Sequence, residues 1–121
     1  MHFDQTPEFQ KDLKRLSKKW RSLPLDIEDA QLIISDVYTD GDHHELVQQK
    51  FFDGKRAAKI TVKNDIEVVK MRLDVATLGT NNKVRVIFVA AITKRQVTFI
   101  ELFAKNDKDR EDISRIRRYL G

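Results

Sequence analysis

The chain has 121 residues, of which 40% are hydrophobic and 35% charged, with a net charge of +4 and no cysteine. That length suits one domain over residues 1–121, large enough to bury a core unaided. The missing cysteines exclude a disulfide framework and thiolate chemistry, and no run of ~18 apolar residues exists to form a transmembrane helix. The opening "MHFDQTPEFQ" has no apolar signal core, so a cytoplasmic protein with no membrane partner is expected.

Charge is unevenly placed. Lys and Arg against Asp and Glu number six and three in residues 1–24, one and eight in 25–54, and sixteen and eight in 55–121. An acidic middle thus lies between basic ends, a distribution that suits a polyanionic partner, nucleic acid first.

In chain order, "MHFDQ" reads as a short opening strand. Thr6 is a good N-cap and Pro7 fits the first helical position, where its missing N–H is not needed. Phe9, Leu13, Leu16 and Trp20 then make one apolar stripe at spacings of four, three and four, which predicts a helix over 7–20 with Lys11, Lys14, Arg15, Lys18 and Lys19 on its other side. Pro24 breaks this helix and starts a second. Asp26, Glu28 and Asp29 suit its first turn, and Ile27, Ala30, Ile33, Ile34, Val37 and Tyr38 form its buried side. The expected unit is a helical hairpin.

"TDGDHHEL" reads as a loop centred on Gly41. Its acids and His43 and His44 raise the question of metal, but adjacent side chains diverge and no second ligand pair follows, so neither metal nor cofactor is expected. From Leu46 the period shifts toward two. "FFDGKRAAKITVKNDIE" carries a turn at Asp53-Gly54 and a segment around 57–62 that strand and irregular structure fit equally. Three strands follow over 67–74, 83–91 and 96–104, and the short "TKR" connection makes the last two antiparallel. The closing "NDKDREDISRIRRYLG" predicts a helix with Asp107 as N-cap, an Ile113, Ile116, Leu120 stripe and Arg110, Arg115, Arg117 and Arg118 around it. The fold class is α+β: a helical hairpin on one face of an antiparallel sheet, with a C-terminal helix.

Alternation along the strands sorts the side chains. Val69, Met71 and Leu73 oppose Lys70, Arg72 and Asp74. Val84, Val86, Phe88 and Ala90 oppose Lys83, Arg85, Ile87 and Val89. Ile100, Leu102 and Ala104 oppose Phe99, Glu101, Phe103 and Lys105. Placing the hairpin on the apolar face gathers Lys70, Arg72, Arg85 and Lys105 on the other, where like charges repel unless acids such as Asp74 and Glu101 intervene or an anion binds.

The series "TPEFQKDLKRLSKKWRSLPLDI", "VVKMRL", "KVRVIF" and "FIELFAKNDKDREDISRI" resembles the RelE/ParE superfamily of type II toxin–antitoxin toxins, notably its RelE-like branch, over most of the chain except about residues 39–64. The resemblance implies a small fold with a helical hairpin on an antiparallel sheet, and an mRNA endoribonuclease acting in the ribosomal decoding site until an antitoxin covers it. It implies that Lys70 and Arg72 are the basic strand residues of the RNA site, that Arg85 is the motif arginine, with Val84 in place of the usual aromatic, and that Lys105 is the basic residue after the last strand. These four are the expected catalytic residues; Lys83, Arg110, Arg115 and Arg118 are the expected RNA-binding ones.

Cleavage by internal transfer needs a base for the 2′-hydroxyl, positive charge on the pentacoordinate phosphorus and an acid for the 5′-oxygen. Arg72, Arg85 and Lys105 supply the charge without a metal, and Lys70 is the candidate base, its neighbours' charges favouring the neutral amine. The acid is not evident: where relatives place a tyrosine or histidine, this chain has Phe103, Asp107 and Glu111, and Tyr119 is the one hydroxyl aromatic downstream. The expected function is therefore a metal-independent, ribosome-dependent mRNA endoribonuclease toxin that inhibits translation, paired with a cognate antitoxin. The alternative is a non-catalytic superfamily member, either a gyrase inhibitor of the ParE type or a degenerate toxin that only binds an antitoxin.

Overall fold

The computed structural model describes residues 1–39, 44–54, 56–78 and 84–121. Its elements are strand β1 (His2–Gln5), helices α1 (Pro7–Ser17), α2 (Leu23–Val37) and α3 (His44–Asp53), strands β2 (Ala57–Lys63) and β3 (Ile66–Arg72), a 3-10 turn (Ala76–Leu78), strands β4 (Val84–Ala91) and β5 (Gln96–Ala104), and helix α4 (Ile113–Leu120). The class is α+β as expected. The five strands lie in the order β1-β5-β4-β3-β2.

Thr6 caps α1 by accepting the Phe9 amide at 3.1 Å, and Pro7 follows it as the sequence suggests. The helix ends at Ser17 rather than Trp20, yet Trp20 is still buried in the turn beyond it. In α2, Ser22 Oγ donates to Asp26 Oδ2 at 2.7 Å, and the buried Asp26 carboxylate also accepts the Ala76 amide at 3.4 Å, tying the helix start to the segment after β3. Phe9 and Leu16 of α1 and Leu23, Ile27, Ala30, Ile34 and Val37 of α2 join Val69, Met71, Val84, Val86 and Phe88 in one buried cluster. Phe99 is its aromatic hub, stacked on Phe9 at 5.4 Å and edge-on to Phe88 at 6.4 Å.

Several expectations change. The stretch from Leu46 is helical: α3 runs from His44, burying Phe51, while Asp40 to His43 of the expected loop lie outside the described residues. Gly54 closes α3, and a Cβ there would lie 2.6 Å from the Lys50 carbonyl oxygen, so the close chain approach requires glycine. Residues 57–62 fall in a true strand, the outer β2. The sheet is mixed rather than wholly antiparallel, because β1 pairs parallel to β5, the intervening helices and strands providing the long crossover that a parallel pair needs.

Strand β5 carries a bulge. Ile87 faces Glu101 whereas the next residue, Phe88, faces Phe99, leaving Ile100 as an extra residue. Phe99 therefore joins Leu102 and Ala104 in the helix-covered core, and Ile100 turns to the opposite face. There it meets Val68, Ile87, Val89, Phe103 and Ile116, a second, smaller apolar cluster under α4. The N-cap of α4 is Asp112, which accepts the Arg115 amide at 3.1 Å, not Asp107. Starting this late, the helix covers only part of its sheet face.

Candidate functional site

Strand alternation continues past the edge of α4, and the positions that were apolar at Val68 and Ile87 become Lys70 and Arg72 on β3 and Arg85 on β4. With Lys105, the first residue after β5, these side chains line an open groove of about 400 Å³. Ala57 and Ala58 of the neighbouring β2 leave room beside them, Phe52 of α3 forms an apolar wall, and Arg56 and Asp109 complete the lining.

Arg72 lies directly opposite Arg85 in the ladder. Burial, and then the charge of Arg72, hold the Arg85 guanidinium below its ordinary range. Its Nη1 donates to the Val84 carbonyl at 3.2 Å. Arg72 and Lys105 are exposed, and neither pairs with a carboxylate among the described residues. Lys70 differs, since its Nζ lies 3.0 Å from Glu111 Oε2. Burial pushes the Glu111 carboxyl up, but backbone hydrogen bonding, the Lys70 hydrogen bond and the charges of Lys70 and Arg110 outweigh it and hold the group below its usual range.

The acids expected to temper the cluster have other partners. Asp74 pairs with Arg56 at 2.8 Å. Glu101 is buried, paired with Lys108 and accepting the Asp112 amide at 2.8 Å. Glu101 thus fastens the segment between β5 and α4 to the sheet, which places Lys105, Asp109 and Glu111 at the groove.

The four expected catalytic residues therefore share one groove, whereas none of the expected RNA-binding residues among the described ones lines it. Lys83 lies outside the described residues. Arg110 is exposed beside Glu111. Arg115 reaches back to α1: its Nη1 lies 2.6 Å from Asp12 Oδ2 and 3.1 Å from the Ile100 carbonyl oxygen, and its Nε lies 3.3 Å from Glu8. Arg118 pairs with Glu8 at 3.1 Å. Tyr119 sits beside Ile66, Val89 and Leu120, at the end of β3 away from Arg72. No tyrosine or histidine is found among the described residues lining the groove.

Sequence reasoning missed Phe52, Arg56 and Asp109 as lining residues and Glu111 as the partner of Lys70. Arg56 had a signal in the turn at Asp53-Gly54, which delivers the chain to a strand start. Glu111 is 41 residues from Lys70, and nothing local links the two.

The arrangement is suited to gripping a phosphodiester: three guanidiniums, that of Arg56 already paired with Asp74, offer fork-like donors, two lysines offer point charges, and the Phe52 ring offers an apolar surface for a base. No family model matches the sequence, and no curated protein does. Among solved structures, a chain of the archaeal RelE-RelB complex from Pyrococcus horikoshii OT3 aligns with a TM-score of 0.52 at 16% identity, over 88% of this chain and 97% of that one. The likeness is one of architecture: the chain has a RelE-like α+β fold.

Proposed function

We propose that the chain is the toxin of a type II toxin–antitoxin module, a metal-independent endoribonuclease that cuts mRNA in the ribosomal decoding site and so stops translation in the cytoplasm. The observation that carries this is the convergence of Lys70, Arg72, Arg85 and Lys105 on one groove. The RelE-like fold supports it, with α1 and α2 acting as a helical hairpin behind the sheet, and the matched structure, being a RelE-RelB complex, supports an antitoxin partner.

In the proposed reaction the 2′-hydroxyl attacks the adjacent phosphorus, the P–O5′ bond breaks, and a cyclic phosphate and a 5′-hydroxyl result. Arg72, Arg85 and Lys105 stabilise the charge that develops on the phosphoryl oxygens. The proton acceptor is the Lys70–Glu111 pair rather than Lys70 alone, the Glu111 carboxylate holding the proton that leaves the 2′-hydroxyl. The proton for the 5′-oxygen comes from water or a ribosomal group.

Induced expression tests this. Rapid arrest of translation with mRNA cut inside coding sequence is expected, and it should be lost in Lys70→Ala and in Arg72→Ala with Arg85→Ala. A Lys70→Ala variant of full toxicity would remove Lys70 from the mechanism.

A second reading is a non-catalytic relative, a gyrase inhibitor of the ParE type or a toxin reduced to antitoxin binding. The Lys70–Glu111 ion pair and the lack of a tyrosine or histidine among the described residues lining the groove favour it. DNA damage signalling with intact mRNA on expression would identify the inhibitor, and harmless expression the reduced toxin.

A further inference from the structure

We infer that the outward face of α2 is a docking surface for a cationic amphipathic helix of a partner protein. This surface is separate from the groove and does not depend on its chemistry.

Leu25 and Leu32 are 65% and 69% exposed, the two most exposed large apolar side chains among the described residues. They stand seven positions apart, so only ~20° separates them around the helix, and they run along the middle of the solvent-facing side. Exposed Glu28, Asp29 and Asp36 flank them, and none of the three forms an ion pair among the described residues. Between residues 22 and 49 the sequence contains no Lys or Arg at all.

Helix α1 is the internal control. It packs on the same core, yet its exposed positions are Pro7, Glu8, Gln10, Lys11, Lys14 and Arg15, with no large apolar side chain among them. A merely solvated face needs no leucine stripe, and single exposed leucines would not align along a helix axis.

The flanking acids select the occupant. A neutral or acidic helix covering the leucines would leave three carboxylates desolvated or facing like charge. A helix with an apolar stripe bordered by Lys or Arg covers the leucines with its stripe while its long side chains reach outward to the acids. In a second copy, α2 against α2 in a two-fold arrangement sets acids against acids, and α1 offers charge without an exposed apolar stripe. Nucleic acid is repelled.

The test uses the full chain and a designed helical peptide of about 18 residues, five turns, bearing leucines at i, i+3, i+4 and i+7 bordered by lysines. Titration by fluorescence anisotropy should show saturable binding that Leu25→Gln with Leu32→Gln weakens about tenfold or more, and that Glu28→Lys with Asp29→Lys also weakens. These side chains are exposed, so circular dichroism should report unchanged folding. The inference is overturned if a peptide with serines for the leucines binds equally well, if the leucine variant binds as the parent does, if the peptide does not bind, or if sedimentation shows self-association that the leucine variant abolishes.

Discussion

Arg72 and Arg85 face each other across the β3–β4 ladder, a like-charge pair at the centre of the groove. Such an opposition costs about 0.2–1 kcal/mol, and the lowered Arg85 guanidinium reports it alongside burial. Arg72 is exposed, so core packing does not require its charge. Arg72→Met is expected to raise stability in urea by about 0.5 kcal/mol while lowering RNA cleavage about 100-fold. Lower stability with unchanged cleavage would reassign Arg72 to a structural role.

Glu111, held by a backbone hydrogen bond and by its pairing with Lys70, makes stability depend on pH in a defined direction. The folded-state pKa of Glu111 lies below the ordinary value of 4.5. Below that ordinary value the unfolded chain takes up a proton that the folded chain still refuses, so the contribution is complete above about 4.5 and disappears as pH falls through the lower folded value. Glu111→Gln is expected to lose less stability than the parent over that acid range. Urea midpoints collected over that pH range check this, and parallel curves would mean that the Glu111 charge contributes nothing to folding.

These features were unequally legible in the sequence. The four cations could be placed together because β3 and β4 keep strict alternation, so Lys70, Arg72 and Arg85 had to share a face once Val69, Met71 and Val86 went to the core. The same counting failed on β5, where the extra Ile100 reverses the facing of Phe99 relative to Leu102; both are large apolar residues, so no polarity step marks the bulge. Helix α3 was obscured because "HELVQQKFFD" buries Phe51 fully but Val47 only partly, leaving a shallow stripe with two adjacent aromatic rings that also suits a strand. The partnership of Lys70 with Glu111, and of Arg115 with Asp12 and Glu8, depends on where α4 docks, which no local pattern encodes.

Arg115 is expected to matter for folding more than for RNA. Its guanidinium joins α4 to Asp12 and Glu8 of α1 and to the Ile100 carbonyl of β5, in a setting where burial alone would lower its pKa but the Asp12, Glu101 and Glu8 charges raise it. Arg115→Met removes the close cation from the largely buried Asp12 carboxylate, which keeps the Leu102 amide at 3.0 Å and Arg15 at 4.0 Å, and should cost about 2 kcal/mol. The exposed Arg118–Glu8 pair is a contrast, and Arg118→Met should change stability by no more than about 1 kcal/mol. Thermal unfolding of the two variants separates them; equal shifts would show that Arg115 is not the fastening point.

Lys105 offers the cleanest test of phosphate contact, because it lines the groove, is exposed and pairs with no carboxylate among the described residues. Lys63, near Leu120 in a separate depression, serves as the control. A lysine that neutralises one phosphate of a single-stranded RNA contributes about 0.7 to the slope of log affinity against log salt. With a non-cleavable RNA carrying a 2′-methoxy group at the scissile nucleotide, Lys105→Ala should flatten that slope by about this amount, whereas Lys63→Ala should leave it unchanged. If both substitutions lowered the slope equally, RNA would be reading the general positive charge of the chain, and the groove would lose its claim to be the binding site.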